Sequence, residues 1–391
     1  MSRDPKEDAE LKRRILFVPC ADKVSLQRWI RIFLNLDMPD TIVDEASTST
    51  PMDLIWEVYS KCLRNDDPEF SRILAYAARD AGKTLAAGVL EILSLFHLNR
   101  SVAHMAAIEA QAKKSQSYVK TFLNKPFLRD FVVGDNDRKK EVVRYYDETT
   151  GVNLPQKEWL KLPTSAERNK YKEITAYVVI IICTVSGANS EHVPFMCVDE
   201  LDVISNPKAY EEAKMIPAPY GGKLPVTLLT SSRKYNFGLV QKEIDEAGKT
   251  GRHIPHWNLL DVTEKCQPER HLPNEPRVTI YRSDDTLKAL SENEFQGLNT
   301  NEQAKYVKDE GFAGCLKNCK LFAVCKTRLA THQRPKHPNP KVDCLYKPIE
   351  HTINAFKQFA TEKGVATAKA QLLCWKPSTE GMVYPGYDRE V

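Results

Sequence analysis

The stretch "AARDAGKT", residues 77–84, closes on Gly82, Lys83 and Thr84. On a loop between a strand and a helix, residues of these types handle phosphate. Backbone N–H groups and the partial positive charge of the helix start face the anion, the lysine reaches the β- and γ-phosphates, and the hydroxyl ligates Mg²⁺. Ala78, Arg79, Asp80, Ala81 and Gly82 would form the cradle, with Lys83 and Thr84 at its end. Two features depart from the usual pattern: Ala77 stands at the first glycine position, and Arg79 sits inside the loop. A turn that merely contains glycine is the alternative reading.

A nucleotide hydrolase also needs a carboxylate near the metal and a base to orient water, both held just off a sheet edge. The run "VPFMCVDE", residues 193–200, supplies them: Asp199 for the Mg²⁺ shell and Glu200 for the attacking water. Alone, an apolar run ending in Asp-Glu marks an ordinary strand end; the two motifs together are far rarer. A third segment, "PVTLLTSSRK", ends its apolar run in Thr230, Ser231 and Ser232. A polar strand tip beside the acidic one would sense the γ-phosphate and couple hydrolysis to movement; a Ser-rich turn is the alternative. The catalytic set expected from these motifs is Glu200, Arg79 and Lys83, with ATP and Mg²⁺ as ligands.

Cys315, Cys319, Cys325 and Cys344 place four thiols within thirty residues, and the C-x3-C pair has zinc-ligand spacing. A structural Zn²⁺ is the preferred reading, an iron–sulfur cluster the second, and unligated core cysteines the third. The basic stretches 135–140 and 326–341 could contact DNA phosphates, though such runs more often form solvated faces.

These groups need a framework. At 391 residues the chain can hold a main core of roughly 200 to 250 residues with smaller lobes. The run "RILAYAA" and the later apolar runs "SVAHMAAI", "EITAYVVIIICTV", "VPFMCVDE", "PVTLLTSS" and "WNLLDV" alternate with helical segments. Near-continuous apolar strands of this kind indicate an α/β fold with a mainly parallel sheet flanked by helices. Residues 1–70 predict a helical N-terminal segment, 71–275 a nucleotide-binding core, and 276–391 a C-terminal subdomain with the cysteines. Polar residues 130–172 predict a surface insertion outside the sheet. No apolar run approaches the ~18 residues of a membrane span, and the charged start lacks an export signal, so a cytoplasmic location is expected. A net charge of +4 neither requires nor excludes a nucleic-acid partner.

Taken together, "AARDAGKT", "SVAHMAAIEAQAKKSQSYVKTFL", "VSGANSEHVPFMCVDE", "LLTSSRK" and the closing "GMVYPGYDRE" resemble the large terminase subunits of tailed bacteriophages, which package DNA into capsids. The resemblance spans about residues 70–388. It implies a RecA-like P-loop fold of the additional-strand class and ATP hydrolysis driving translocation of double-stranded viral DNA. It further implies ring assembly on a portal protein, a small terminase subunit as partner, and the cytoplasm of an infected bacterial host. Two departures stand out: "STSTPMDLIWEVY" lacks the glutamine that reads adenine in relatives, and Ser186 precedes Gly187 where relatives carry arginine. The charge-stabilising arginine would then be Arg79 in cis or a residue of a neighbouring subunit. No nuclease is expected in this chain, since in the family the nuclease follows the closing motif. A helicase-like translocase and a nucleotide-binding assembly module are the competing functions.

Overall fold

The computed structural model describes residues 11–65, 67–68, 71–184, 187, 191–204, 206–219, 221–234, 238–266, 279–282, 289–290, 292–309, 321–325, 328–331, 343–344, 346–362 and 365–376. Helix α1 (Lys23–Trp29) starts at Asp22, whose carboxylate accepts from the Ser25 amide in a capping box. Helix α2 (Pro51–Glu57) starts at Thr50 with proline at its first position. Both bury their apolar faces in the core that fills the rest of the molecule.

Among the described residues, nine strands form the main sheet: β1 (Arg72–Ala77), β2 (Val102–Ala106), β3 (Val132–Asp135), β4 (Lys139–Asp147), β5 (Asn153–Pro155), β6 (Tyr171–Ile182), β7 (Phe195–Asp199), β8 (Val226–Ser231) and β9 (His256–Trp257). Their order across the sheet is β9-β1-β8-β7-β2-β6-β4-β3, with β5 on the free side of β4. Strands β9 through β6 run parallel. Strand β8 lies between β1 and β7, which is the additional-strand arrangement expected from the sequence. Every residue of β2 and β7 is buried, as a strand covered on both faces requires. The covering helices are α3 (Lys83–Leu93), α4 (Glu109–Leu123) and α5 (Leu239–Thr250).

Residues 130–172 depart from expectation. Instead of lying outside the sheet, they extend it: β4 pairs antiparallel with β6 over nine residues, and β3 pairs with β4. Strand β4 buries charged and apolar residues alike, Lys140, Arg144 and Asp147 beside Val142, Val143 and Tyr145, so its composition reads as polar although most of the strand is covered. Tyr145 stacks on Trp159 with ring centroids 4.1 Å apart, closing that wing. The basic run at 135–140 is partly consumed there: Lys140 is buried against Asp135, and Lys139 lies over the Tyr177 ring. The run "WNLLDV" also departs, giving a two-residue strand and then a 3₁₀ turn at Leu260–Val262.

Helices α6 (Ile349–Glu362) and α7 (Val365–Leu373) return to the core. The Leu372 carbonyl accepts from the Leu259 amide at 3.0 Å, and the Gln371 carbonyl accepts from the Arg79 amide at 2.7 Å. The end of α7 therefore buttresses the phosphate-type loop.

Candidate nucleotide site

Strand β1 ends at Ala77 and helix α3 begins at Lys83, so the intervening residues form a loop at the carboxyl edge of the parallel strands. That edge is where open α/β sheets place their ligands. Two residues of the loop take left-handed backbone conformations, Asp80 at φ 60° and Gly82 at φ 82°. Such turns aim successive N–H groups into one concavity. The loop is held from behind: Trp257 of β9, wholly buried, donates its indole N–H to the Ala81 carbonyl at 2.8 Å.

Lys83 is nearly buried, and its ammonium donates to the Ala78 carbonyl at 3.0 Å, the Ala77 carbonyl at 3.3 Å and Ser232 Oγ at 2.9 Å. All three of its protons have acceptors, so its donors are satisfied in place. Thr84 Oγ1 donates to Asp199 Oδ2 at 2.7 Å. The other oxygen, Oδ1, accepts from Thr230 Oγ1 at 2.7 Å and from the Glu200 amide at 3.1 Å. Loop, acidic strand and polar strand tip are thus joined through side chains. Thr84 and Asp199 present hard oxygen donors side by side, the donor type that Mg²⁺ takes.

Glu200 has φ 54°, a left-handed conformation uncommon for a residue with a side chain, and it turns the chain sharply off β7. Its carboxylate lies 3.8 Å from Lys83 Nζ and 3.3 Å from Lys234 Nζ, while Oε2 is buried without a hydrogen-bond donor. All these groups border a cleft of about 300 Å³, joined on its other side by Gln111, Lys114 and Tyr118 of α4 and by Lys347. Arg79 lines the mouth and is exposed.

The residues singled out in the sequence therefore converge: Ala78 through Thr84, Asp199, Glu200, Thr230 and Ser232 surround or support one cleft. Ser231 instead faces away, accepting from the Asp202 amide at 3.1 Å. Sequence reading missed Lys234, Trp257, Lys347 and the α4 residues. Only Lys234 carried a local signal, two positions past a Ser-Ser tip.

The cysteine cluster is not assembled among the described residues. Cys315 and Cys319 lie outside them, as does the side chain of Cys344, whose backbone pairs in parallel with Leu36–Asp37. Cys325 is buried, with Sγ 3.5 Å from the Leu329 amide. Ser186 is also outside the described residues. A different group of ligand-type side chains does meet: Glu91, His104 and Cys197 bring donor atoms within 4.8 Å in the core. There His104 Nδ1 lies 2.5 Å from Glu91 Oε1 and 3.0 Å from Ser115 Oγ, an ion pair with a hydroxyl beside it.

No protein-family model and no curated protein matches the sequence. Among solved structures, the chain is similar to the large terminase ATPase domain of Thermus phage P74-26 in a mutant form, at 16% identity and TM-score 0.32, over 44% of this chain and 62% of that one. It is similar to the large terminase of bacteriophage HK97 at 13% identity and TM-score 0.38, over 64% of this chain and 45% of that one. The unmutated P74-26 domain aligns at 12% identity and TM-score 0.37, over 77% of this chain and 86% of that one. The chain thus spans less than two thirds of the first two structures.

Proposed function

We propose that the chain is a P-loop ATPase that drives double-stranded viral DNA into a capsid, the motor portion of a large terminase. The observation that carries the ATPase half is the joining of three strand tips around one cleft: Lys83 to Ser232, Thr84 to Asp199, and Thr230 to Asp199. The DNA half rests on the sequence resemblance.

In this reading the N–H groups of Gly82 to Thr84 and the start of α3 bind the phosphates, the Ala78, Arg79 and Ala81 amides being engaged by carbonyls of the protein, and Lys83 trades its two backbone carbonyls for phosphate oxygens. Thr84 and Asp199 would hold Mg²⁺, which when bound neutralises charge on the β- and γ-phosphates. Glu200 orients a water and takes its proton as the oxygen attacks the γ-phosphorus. The bond to the β,γ-bridging oxygen breaks, and its electron pair leaves with ADP. The Glu200 carboxylate borders the cleft, where such a water would meet it. Thr230 and Ser232 touch Asp199 and Lys83 directly, so a change at the phosphates shifts strand β8. Arg79 at the mouth, or an arginine from a neighbouring subunit, would complete charge stabilisation.

The proposal extends to a core of residues 71–275, a helical segment before it and a C-terminal subdomain after it. It also includes a ring on a portal, a small terminase subunit as partner, and action in the cytoplasm of an infected bacterium. Among the described residues no helix is long and apolar enough to cross a membrane. The deciding experiment is ATP turnover by this chain with Mg²⁺, with and without duplex DNA. Turnover raised by duplex DNA supports the packaging motor; turnover raised only by RNA or single strands supports a helicase-like translocase; binding without turnover leaves an assembly module.

A further inference from the structure

We propose that Glu91, His104 and Cys197, with Ser115 beside them, form a binding site for a thiophilic divalent cation of the zinc type in the core behind the phosphate-type loop. The inference goes beyond the ATPase reading and stands whether or not the cleft turns over nucleotide.

Four separate elements deliver these side chains to one point. His104 and Cys197 are register partners on the neighbouring parallel strands β2 and β7, so they project from the same face of the sheet. Glu91 meets them from α3, farther along the helix that begins at Lys83, and Ser115 meets them from α4. Donor atoms of Glu91, His104 and Cys197 lie within 4.8 Å of one another. His104 Nδ1 is 2.5 Å from Glu91 Oε1 and 3.0 Å from Ser115 Oγ. Ligands about 2.0–2.3 Å from a tetrahedral zinc stand roughly 3.3–3.8 Å apart, so adjustments on the order of 1 Å bring these donors around an ion.

The donor set selects the ion. Nitrogen, sulfur and carboxylate oxygen together suit zinc and its relatives, whereas Mg²⁺ and Ca²⁺ take oxygen ligands. The environment fits as well. Glu91 and His104 are 0% exposed and Cys197 is 1% exposed, yet Glu91 Oε2 and His104 Nε2 have no hydrogen-bond partner. Buried polar atoms are ordinarily satisfied, so the protein by itself leaves this cluster incomplete, and Glu91 keeps lone pairs for an ion.

A dication entering while two protons leave, one from the Cys197 thiol and one from the His104–Glu91 pair, leaves the net charge of the core unchanged. The ion pair is thus the metal-free form of the same site. Buried in this way, the ion holds structure: it ties α3, which begins at the phosphate-type loop, to β2 and to β7, which ends at Asp199. Occupancy therefore fixes how the loop and the acidic strand are joined from behind.

The test uses the full chain carrying Cys315→Ser and Cys319→Ser, which removes the other candidate thiol cluster, produced in zinc-depleted, cobalt-supplemented medium. We expect about one cobalt per chain, thiolate-to-cobalt charge transfer in the near ultraviolet, and an X-ray absorption shell with a single sulfur among nitrogen and oxygen neighbours. Adding Cys197→Ser, which keeps the size of the side chain, should remove the charge-transfer band and most of the bound cobalt while far-ultraviolet circular dichroism stays parental. A folded chain that holds no cobalt, a shell with several sulfurs or none, or a band that survives Cys197→Ser overturns the assignment. The absorption shell is read with Cys197 intact, so it decides the matter independently of how Cys197→Ser folds.

Discussion

Helix α3 carries ionisable groups at both ends, in opposite circumstances. Its first turn presents Lys83 and Thr84 to the open cleft. Two turns on, Glu91 meets His104 in the core, and on the π-helical extension at Ser94–Leu98, His97 is buried against Tyr59 and Trp29. At the cleft, the contacts are exchangeable: Lys83 rests on two backbone carbonyls and a hydroxyl at the border of open space. In the core the groups are enclosed, with Glu91 Oε2, His97 Nε2 and His104 Nε2 buried without a hydrogen-bond partner, and each histidine is driven in its own direction. Burial alone would lower the pKa of His104, but the adjoining Glu91 carboxylate outweighs it and the net shift is upward. Burial pushes His97 down to about 3, and no carboxylate opposes it. One helix thus separates groups placed to react from groups placed to hold the sheet and helices together.

The largest test of that separation is chemical. Lys83→Ala should abolish nucleotide binding, whereas Glu200→Gln should keep binding and lose turnover on the order of a thousandfold or more, since the carboxylate acts during the reaction. Both should unfold near the parental denaturant midpoint. Parental turnover in Glu200→Gln would remove the base from the site.

The core end should show the reverse. Glu91→Ala leaves the His104 imidazolium buried without its counter-ion and should cost about 3–5 kcal/mol of stability. Replacing Glu91 and His104 together with leucine should recover much of that loss. Denaturant titration of the three chains checks it, and nucleotide affinity should persist in whichever of them folds.

A smaller effect separates the histidines by pH. His97 has a folded pKa below its unfolded one, so the unfolded chain binds more protons between about 3 and the ordinary 6.5. Stability contributed by neutral His97 is present above 6.5 and falls as pH drops through that window, by about 1.4 kcal/mol per unit at most. His104 has the opposite sign: its contribution is full below 6.5 and is lost as pH rises through its raised folded pKa. His97→Gln should therefore flatten the acid limb of the stability profile relative to the parent. An unchanged slope would mean that His97 is not buried in its neutral form.

The smallest effect belongs to the solvent face of α4, where Lys113 pairs with Glu109 at 2.8 Å with both side chains more than half exposed. Lys113→Ala should leave melting midpoint and turnover indistinguishable from the parent, because exposed pairs contribute little. A clear loss of turnover would extend the functional surface beyond the cleft.

Legibility in the sequence followed interaction range. Gly82, Lys83 and Thr84 could be read because loop, helix start and phosphate chemistry are all local. Asp199, Glu200 and Thr230 to Ser232 could be read because a fully buried parallel strand must be apolar to its end, which makes the polar residues at its tip conspicuous. The antiparallel wing at β3 to β5 reads as an insertion because β4 buries charged residues, Lys140, Arg144 and Asp147, which break the apolar run that marks a covered strand. Lys234, Asp202 and Trp257 were not singled out, since each gains its place from partners far along the chain: Lys234 and Asp202 from each other, Trp257 from Ala81.

By itself, then, the sequence determined the α/β class, the phosphate-type loop and the acidic strand end, because those depend on periodicity and neighbouring residue types. Tertiary structure alone decided that β8 runs between β1 and β7, that α7 braces the loop, and that Glu200 rests between two lysines. Strand order and long-range charge pairing arise from packing the whole chain at once. Coulomb and hydrogen-bond energies depend on distance in space, which residue spacing along the chain does not encode.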